Sequence, residues 1–136
     1  MFTIRPVEYF YANVRDELGA AYRVLSQLAD RGVNLLAFTA VPAGPALAQF
    51  ALFPEESGRL VAEARSAGLV LDGPHHALLV QGDDELGAFA SVHQRLLEAG
   101  IDIYASAGVI DGRGSFGYVM YVREDQFERA VGALNL

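Results

Sequence analysis

One pentapeptide occurs twice in the chain, and its spacing governs how the whole sequence can fold. Asp-Glu-Leu-Gly-Ala at residues 16–20 returns at residues 84–88, 68 positions further on. At that displacement, without a gap, the identical pairs include Val24/Val92, Leu28/Leu96, Gly32/Gly100, Ala37/Ala105, Val41/Val109 and Gly44/Gly112. The period is too long for a solenoid and indicates a duplicated, domain-sized unit.

Each copy predicts the same order of elements. In the first copy, the side chains of residues 7–14 alternate in polarity like those of a strand. An apolar helical face follows, and residues 42–45 form a turn between two further strands. Residues 54–57 open a second helix, and residues 69–71 are predicted as a short final strand. The order βαββαβ predicts an α+β fold of two tandem ferredoxin-like units, with antiparallel sheets and helices on one face.

The two copies are predicted to divide after residue 72, which gives one unit of residues 1–72 and another of residues 73–136. Asp72-Gly73-Pro74 is the predicted linker. The second copy ends too early for a full fourth strand, whereas residues 2–5 alternate like a strand ahead of the first copy. We therefore expect residues 2–5 to supply the edge strand that the second copy lacks.

The net charge and the composition limit the kinds of molecule that the chain is expected to bind. The net charge is −7, and every basic residue is an arginine dispersed among carboxylates. Nucleic acids and anionic membranes are disfavoured, because both are bound through clustered basic groups. The chain has no lysine for a Schiff base or a P-loop and no cysteine for thiolate chemistry or a cysteine zinc site. We expect no cofactor and no metal.

The start of the chain and its apolar runs bear on location. MFTIRPVEYF lacks the basic and apolar regions of a signal peptide. No apolar run approaches the ~20 residues needed to span a bilayer. A cytoplasmic location is therefore expected.

The turn that opens the first helix of each copy is the strongest candidate for binding chemistry. Asp16 and Asp84 are predicted as N-caps. The first N–H groups of a helix have no intrahelical partner, and the helix dipole adds positive charge there, so a ligand carboxylate would suit them. Gly19 and Gly87 lack side chains and let a ligand approach closely, while the aspartate could hold an ammonium. A plain N-capped helix start would have the same sequence.

Other motifs are interpreted as structural. Gly112, Gly114 and Gly117 match GxGxxG but precede a strand, which indicates a hairpin and not a dinucleotide site. His75 and His76 are adjacent on a strand and point to opposite faces, so they cannot chelate one metal. His93 is predicted to be structural, on a partly buried helix face. With no nucleophile motif or paired carboxylates, the chain is not predicted to be an enzyme.

The order of elements and the short motifs together resemble the ACT domain family over nearly the whole chain, as two copies. The motifs are the helix opening Asp-x-Leu-Gly-Ala and the endings Asp-Arg-Gly-Val-Asn-Leu and Glu-Ala-Gly-Ile-Asp-Ile. The resemblance implies a regulatory, allosteric module that binds an amino acid, often at an interface between paired units. A homodimer is a further expectation, because C₂ dimers are the commonest oligomers. Some family members bind nothing, so the alternative is a ligand-free module that assembles with a protein partner.

The resemblance also implies ligand contacts by position. They come from the first loop, its glycine and a polar residue that starts the second strand: Asp16, Glu17, Leu18, Gly19 and Asn34 in one copy, and Asp84, Glu85, Leu86, Gly87 and Asp102 in the other. The family often has proline where this chain has Leu18 and Leu86. Asp102 would repel a ligand carboxylate. Either the first copy holds the better site, or the two loops differ in ligand.

Overall fold

The computed structural model describes residues 1–136 and contains six β-strands and four α-helices, which confirms the predicted α+β class. None of the helices is long and apolar enough to cross a membrane. A short 3₁₀ turn at Glu124–Gln126 leads into the last helix. In chain order the elements are β1 (Phe2–Arg15), α1 (Ala20–Asp30), β2 (Leu35–Pro42), β3 (Leu47–Pro54), α2 (Ser57–Ala64), β4 (Asp72–Asp83), α3 (Ala88–Glu98), β5 (Ile103–Ile110), β6 (Ser115–Val122) and α4 (Phe127–Ala133).

The chain divides into two compact units, and β1 and β4 each contribute to both. The contiguous unit comprises Glu8–His75, and the split unit comprises Met1–Val7 together with His76–Leu136. The division predicted after residue 72 falls inside β4. The predicted linker Asp72-Gly73-Pro74 is wrong, because these residues begin that strand. A Gly-Pro pair favours a turn locally, but pairing at a sheet position overrides this preference.

The contiguous unit has the strand order β2-β3-β1-β4, with β4 represented by its first residues. β3 pairs antiparallel with both of its neighbours, and Leu52 lies opposite Phe10 on one side and Phe38 on the other. Residues 69–71, predicted as the final strand, lie outside any strand, because the start of β4 takes that place. The buried core is formed by Phe10, Ala12, Ala20, Leu28, Val33, Phe50, Leu52 and Leu60.

The split unit has the equivalent order β5-β6-β4-β1, with β1 represented by its first residues. The Asp83 N–H donates to the Met1 carbonyl at 3.0 Å, and the Thr3 hydroxyl donates to the Gln81 carbonyl at 3.4 Å. Ile4 is buried in the core of this unit with residues of β4, β6, α3 and α4. The expectation that residues 2–5 supply the missing edge strand is confirmed.

The glycine-rich segment between β5 and β6 is a hairpin turn, as predicted. Asp111 Oδ1 accepts hydrogen bonds from the N–H groups of Arg113 and Ser115, at 2.7 and 3.1 Å. Its GxGxxG match runs from this turn into β6, so it has no helix start to offer a phosphate.

Candidate functional site

Both predicted ligand loops end in a glycine with left-handed backbone geometry, at the point where the helix begins. Gly19 (φ 82°) precedes α1, and Gly87 (φ 77°) precedes α3. No side chain caps either helix, so the N-caps predicted at Asp16 and Asp84 are wrong. Glycine adopts this geometry without the steric cost that a Cβ imposes, and it leaves the N–H groups of the first turn without a side-chain partner.

In the contiguous unit, one carboxylate of the loop is engaged and the other is free. Glu17 accepts a hydrogen bond from Arg23 Nη2 at 2.6 Å, and Arg23 Nη1 donates to the Leu18 carbonyl at 3.2 Å. The Asp16 backbone N–H donates to the Ala46 carbonyl at 2.9 Å, which holds the loop against the β2–β3 turn. The Asp16 side chain is exposed and makes no ion pair. It is therefore available to a ligand ammonium.

In the split unit, the equivalent loop carries a carboxylate that already holds an ammonium. Glu85 Oε1 accepts from the Met1 amino group at 2.9 Å, and Asp83 Oδ2 lies 3.5 Å from the same nitrogen. The pKa of the Met1 amino group is raised above its ordinary value, first by the hydrogen bond to Glu85. The Asp84 N–H donates to the Gly114 carbonyl at 2.8 Å, which repeats the anchoring seen at Asp16.

A shallow cavity lies beside each helix start. The one in the contiguous unit has a volume of about 340 Å³, and residues 16–22 line it together with Ala40, Ala48 and Phe50. The one in the split unit has a volume of about 620 Å³, and residues 84–90 line it together with Ile110. Each cavity combines an aspartate, a glycine and a leucine whose side chain is fully exposed.

Asn34 lies at the far end of α1 from Asp16, and the two residues line different cavities. Asn34 Nδ2 donates to Glu55 Oε2 at 2.6 Å. Glu56 and Arg59 line the same small cavity, of about 100 Å³. Two glutamates and one arginine therefore line this end of the unit, and the Asn34 amide is already bonded to one of the glutamates.

Asp102 occupies the position in the second copy that Asn34 occupies in the first. The residue that contacts this position also differs between the two copies. Glu55 is replaced by Arg123, 68 residues later. Arg123 Nε lies 4.0 Å from Asp102 Oδ2, and its guanidinium lies 5.4 Å from the centre of the Tyr104 ring. This end of the split unit therefore presents both signs of charge. Sequence reasoning did not single out Glu55 or Arg123, although the repeat register links the two positions.

The three histidines make contacts with neighbouring side chains. His75 Nε2 lies 3.4 Å from Asp72 Oδ2, and His76 Nδ1 lies 2.8 Å from Glu124 Oε1. His93 is on α3 as predicted, but its side chain is exposed, so the expectation of a partly buried position is wrong. No three His, Asp or Glu side chains are grouped so as to hold a metal ion.

Comparison with known proteins identifies structural likeness only. No family model and no curated protein matches the sequence. A protein from Bacteroides thetaiotaomicron is 12% identical with a TM-score of 0.78, over 97% of this chain and 88% of that chain. The ligand-free regulatory subunit of aspartate kinase from Thermus thermophilus is 16% identical with a TM-score of 0.62, over 98% and 94%. Aspartokinase alpha and beta subunits are 20% identical with a TM-score of 0.54, over 99% and 97%.

These likenesses extend over nearly the full length of each structure, so they concern both units of the chain. Together with the strand orders of the two units, they establish an ACT-like α+β fold built from ferredoxin-like βαββαβ units.

Proposed function

We propose that this chain is a non-catalytic, allosteric regulatory protein that binds an amino acid or a similar small zwitterion. The observation that carries the proposal is the helix start found in both units: a left-handed glycine, an uncapped first turn and a neighbouring aspartate. The likeness of the fold to a regulatory subunit of aspartate kinase supports it. The two halves of the duplication, residues 1–72 and 73–136, would each contribute one loop.

The proposed binding mode uses both charges of the ligand. The ligand carboxylate accepts hydrogen bonds from the first-turn N–H groups of α1 or α3, where the helix dipole favours a negative charge. Asp16 or Asp84 holds the ammonium, and the contact between Glu85 and the Met1 amino group supports this preference of the loop. Leu18 and Leu86 lie against the hydrocarbon part of the ligand, whereas Asn34 and Asp102 line other cavities, at the far ends of α1 and α3.

Regulation would follow from differential binding. A ligand that binds one conformation of the protein better than another raises the population of that conformation by mass action. The protein would act in the cytoplasm, without a cofactor, as a monomer or a homodimer.

A ligand-free assembly module is the second candidate, and two observations favour it. Leu18 and Leu86 are 99% and 105% exposed, which is unusual for leucines at the same position of two copies. β2 and β5, the outermost strands of the two units, contain no charged residue. Edge strands commonly carry charges that prevent pairing with another chain, so their absence leaves both edges open to a partner.

A thermal-shift screen of the full chain against the common amino acids tests the proposal. A ligand at about 100 times its dissociation constant stabilises the folded state by about 2.7 kcal/mol. The shift is expected to fall in Asp16→Asn or Asp84→Asn, because each removes the proposed ammonium partner. Asp30→Asn is the matched control, since Asp30 is also an exposed aspartate but lies at the opposite end of α1.

Each result of the screen points to one candidate. A shift that is lost in Asp16→Asn or Asp84→Asn and kept in Asp30→Asn supports the sensor. If no amino acid changes the melting temperature, the sensor is excluded in favour of the assembly module. The oligomeric state of Leu18→Ser and Leu86→Ser variants, measured by light scattering, would then test the exposed leucines.

A further inference from the structure

Three polar side chains form a hydrogen-bonded series between α3, β5 and β6 of the split unit. His93 Nε2 lies 2.7 Å from the Tyr118 hydroxyl, which lies 3.2 Å from Ser106 Oγ. The Tyr118 ring packs against Phe89, with 4.7 Å between ring centres. A Cβ at Gly108 would lie only 2.9 Å from that ring, so Tyr118 also rests directly on the backbone of β5. The hydroxyl that orients His93 is therefore held in place.

All three positions are apolar in the contiguous unit. At the displacement of 68 residues, the position of His93 is occupied by Leu25, that of Ser106 by Phe38 and that of Tyr118 by Phe50. Phe38 and Phe50 pack edge to face there, with 5.1 Å between ring centres. The duplication therefore has one copy in which these positions only pack, and one in which they form hydrogen bonds.

Packing volume does not explain the polar series. The aromatic ring of Phe38 is lost at Ser106, but a ring is gained where Ala21 is replaced by Phe89. Phe89 fills the space beside Tyr118 that Phe38 fills beside Phe50. Because His93 and Ser106 are exposed, polar residues are tolerated there, and what distinguishes the split unit is that the three side chains are hydrogen-bonded to one another.

His93 also lines a groove of about 430 Å³ between α3 and the start of β5. Its apolar lining comes from both elements and the turn between them: Ala90, Leu96, Leu97, Ile101 and Ile103. Gln94 and Asp102 complete its polar lining. The position of Ala90 is taken by the larger Tyr22 in the contiguous unit.

The chemistry of the groove selects a ligand class. Asp102 is 70% exposed, and its nearest cation, Arg123, lies 4.0 Å away, beyond hydrogen-bond distance. Its carboxylate is therefore open to a ligand ammonium, as a charge-assisted hydrogen bond. His93 uses Nε2 toward Tyr118, which leaves Nδ1 for a polar group of a ligand. Leu97 and Ile101 offer a hydrocarbon surface.

We propose that this groove of the split unit binds a small amphipathic primary amine. The ammonium binds Asp102, His93 contributes a hydrogen bond, and the hydrocarbon part packs on Leu97 and Ile101. The proposal rests on the proposed function only in that the chain binds a small molecule. It uses the far half of α3 and not the loop of residues 84–87, and it assigns the site to one unit alone.

Calorimetric titration of the full chain with three matched compounds tests it: 3-methylbutan-1-amine, L-leucine and 4-methylpentanoate. The two amines are expected to bind and the acid, which lacks an ammonium, is not. Asp102→Asn should weaken amine binding by about tenfold or more, since it removes a charge-assisted hydrogen bond. Tyr118→Phe should weaken it severalfold by releasing His93. Asp30→Asn, at an exposed aspartate of the contiguous unit, is the matched control and should not alter it.

The outcomes separate this site from the helix-start loops. The groove proposal is contradicted if 4-methylpentanoate binds as tightly as the amine. It is also contradicted if the Asp102→Asn variant binds the amine normally. If binding is lost in Asp84→Asn but kept in Asp102→Asn, the ligand is at the loop, so the proposed function stands and the groove is wrong. If neither amine binds, the groove is wrong, and the amino-acid screen alone decides the proposed function.

Discussion

The guanidinium of Arg59 lies over Gly32, so closely that a Cβ on this glycine would overlap it. Arg59 Nη2 donates to the Arg31 carbonyl at 3.2 Å. Arg129 acts in the same way in the split unit, donating to the Gly100 carbonyl at 3.1 Å. In each unit, an arginine of the second helix therefore satisfies a carbonyl where the first helix ends.

The first prediction follows from that contact. Gly32→Ala should lower the free energy of unfolding by about 1–3 kcal/mol, because the residue has φ 75° and its Cβ displaces Arg59. Urea unfolding followed by circular dichroism measures it. Gly132→Ala in α4 is the control, since it meets no atom within 4 Å and should gain up to about 1 kcal/mol from helix propensity. Equal effects of the two changes would contradict the prediction.

The second prediction concerns the edge strand that residues 2–5 supply to the split unit. A Cβ at Gly82 would lie 2.6 Å from Phe2 Cβ, so Gly82→Ala should push residues 1–5 away from β4. The Asp83 amide, bonded to the Met1 carbonyl, should then exchange with deuterium faster. Gly117→Ala in β6 meets nothing within 4 Å and is the matched control. Unchanged protection of Asp83 would show that this strand tolerates the added methyl group.

The third prediction concerns the hydroxyl of Tyr118. Tyr118→Phe should destabilise the fold by about 1 kcal/mol, because the hydroxyl is bonded to His93 and Ser106. Tyr104→Phe, at a half-exposed ring, should have little effect. A double-mutant cycle with His93→Leu isolates the pair, and a coupling energy near zero would show that the hydrogen bond adds nothing to stability.

The fourth prediction is a pH dependence at the second loop. The pKa of the Met1 amino group is raised in the folded chain, first by the hydrogen bond to Glu85. Its contribution to stability is therefore present below the pKa of the unfolded chain and is lost as the pH rises through the raised value. NMR titration of the amino group measures this pKa, and Glu85→Gln should lower it. A folded-state pKa at or below that of the unfolded chain would contradict the assignment.

The repeat and its hydrophobic periods were sufficient to predict the strand supplied by residues 2–5 and the order of the elements, apart from the strand placed at residues 69–71. Both depend on patterns within short windows and on counting the strands that each copy possesses. The helix starts were not predictable in the same way. Asp-x-x-Gly is compatible with a helix capped by the aspartate and with one that begins after a left-handed glycine, as at Gly19 and Gly87.

The candidate site was predicted only in part, because some of its contacts depend on the register between strands. The aspartates and glycines of the two loops were found from the repeat, but the partner of Asn34 was not. Glu55 is 21 positions away and reaches Asn34 only through the register of β2 against β3, which shifts between Leu35 and Ala37. Comparing positions 34 and 55 with 102 and 123 would have shown that charge changes at both together.

The sharing of β1 between the two units has a consequence for the order in which the chain can mature on the ribosome. The contiguous unit consists of consecutive residues and has all of its strands once His75 has been synthesised. Met1–Val7 are synthesised before the contiguous unit but pair with the part of β4 that follows it, so they wait until that whole unit has been translated. A segment made before the contiguous unit is thus paired only after that unit, and until then its apolar Phe2 and Ile4 lack their native partners.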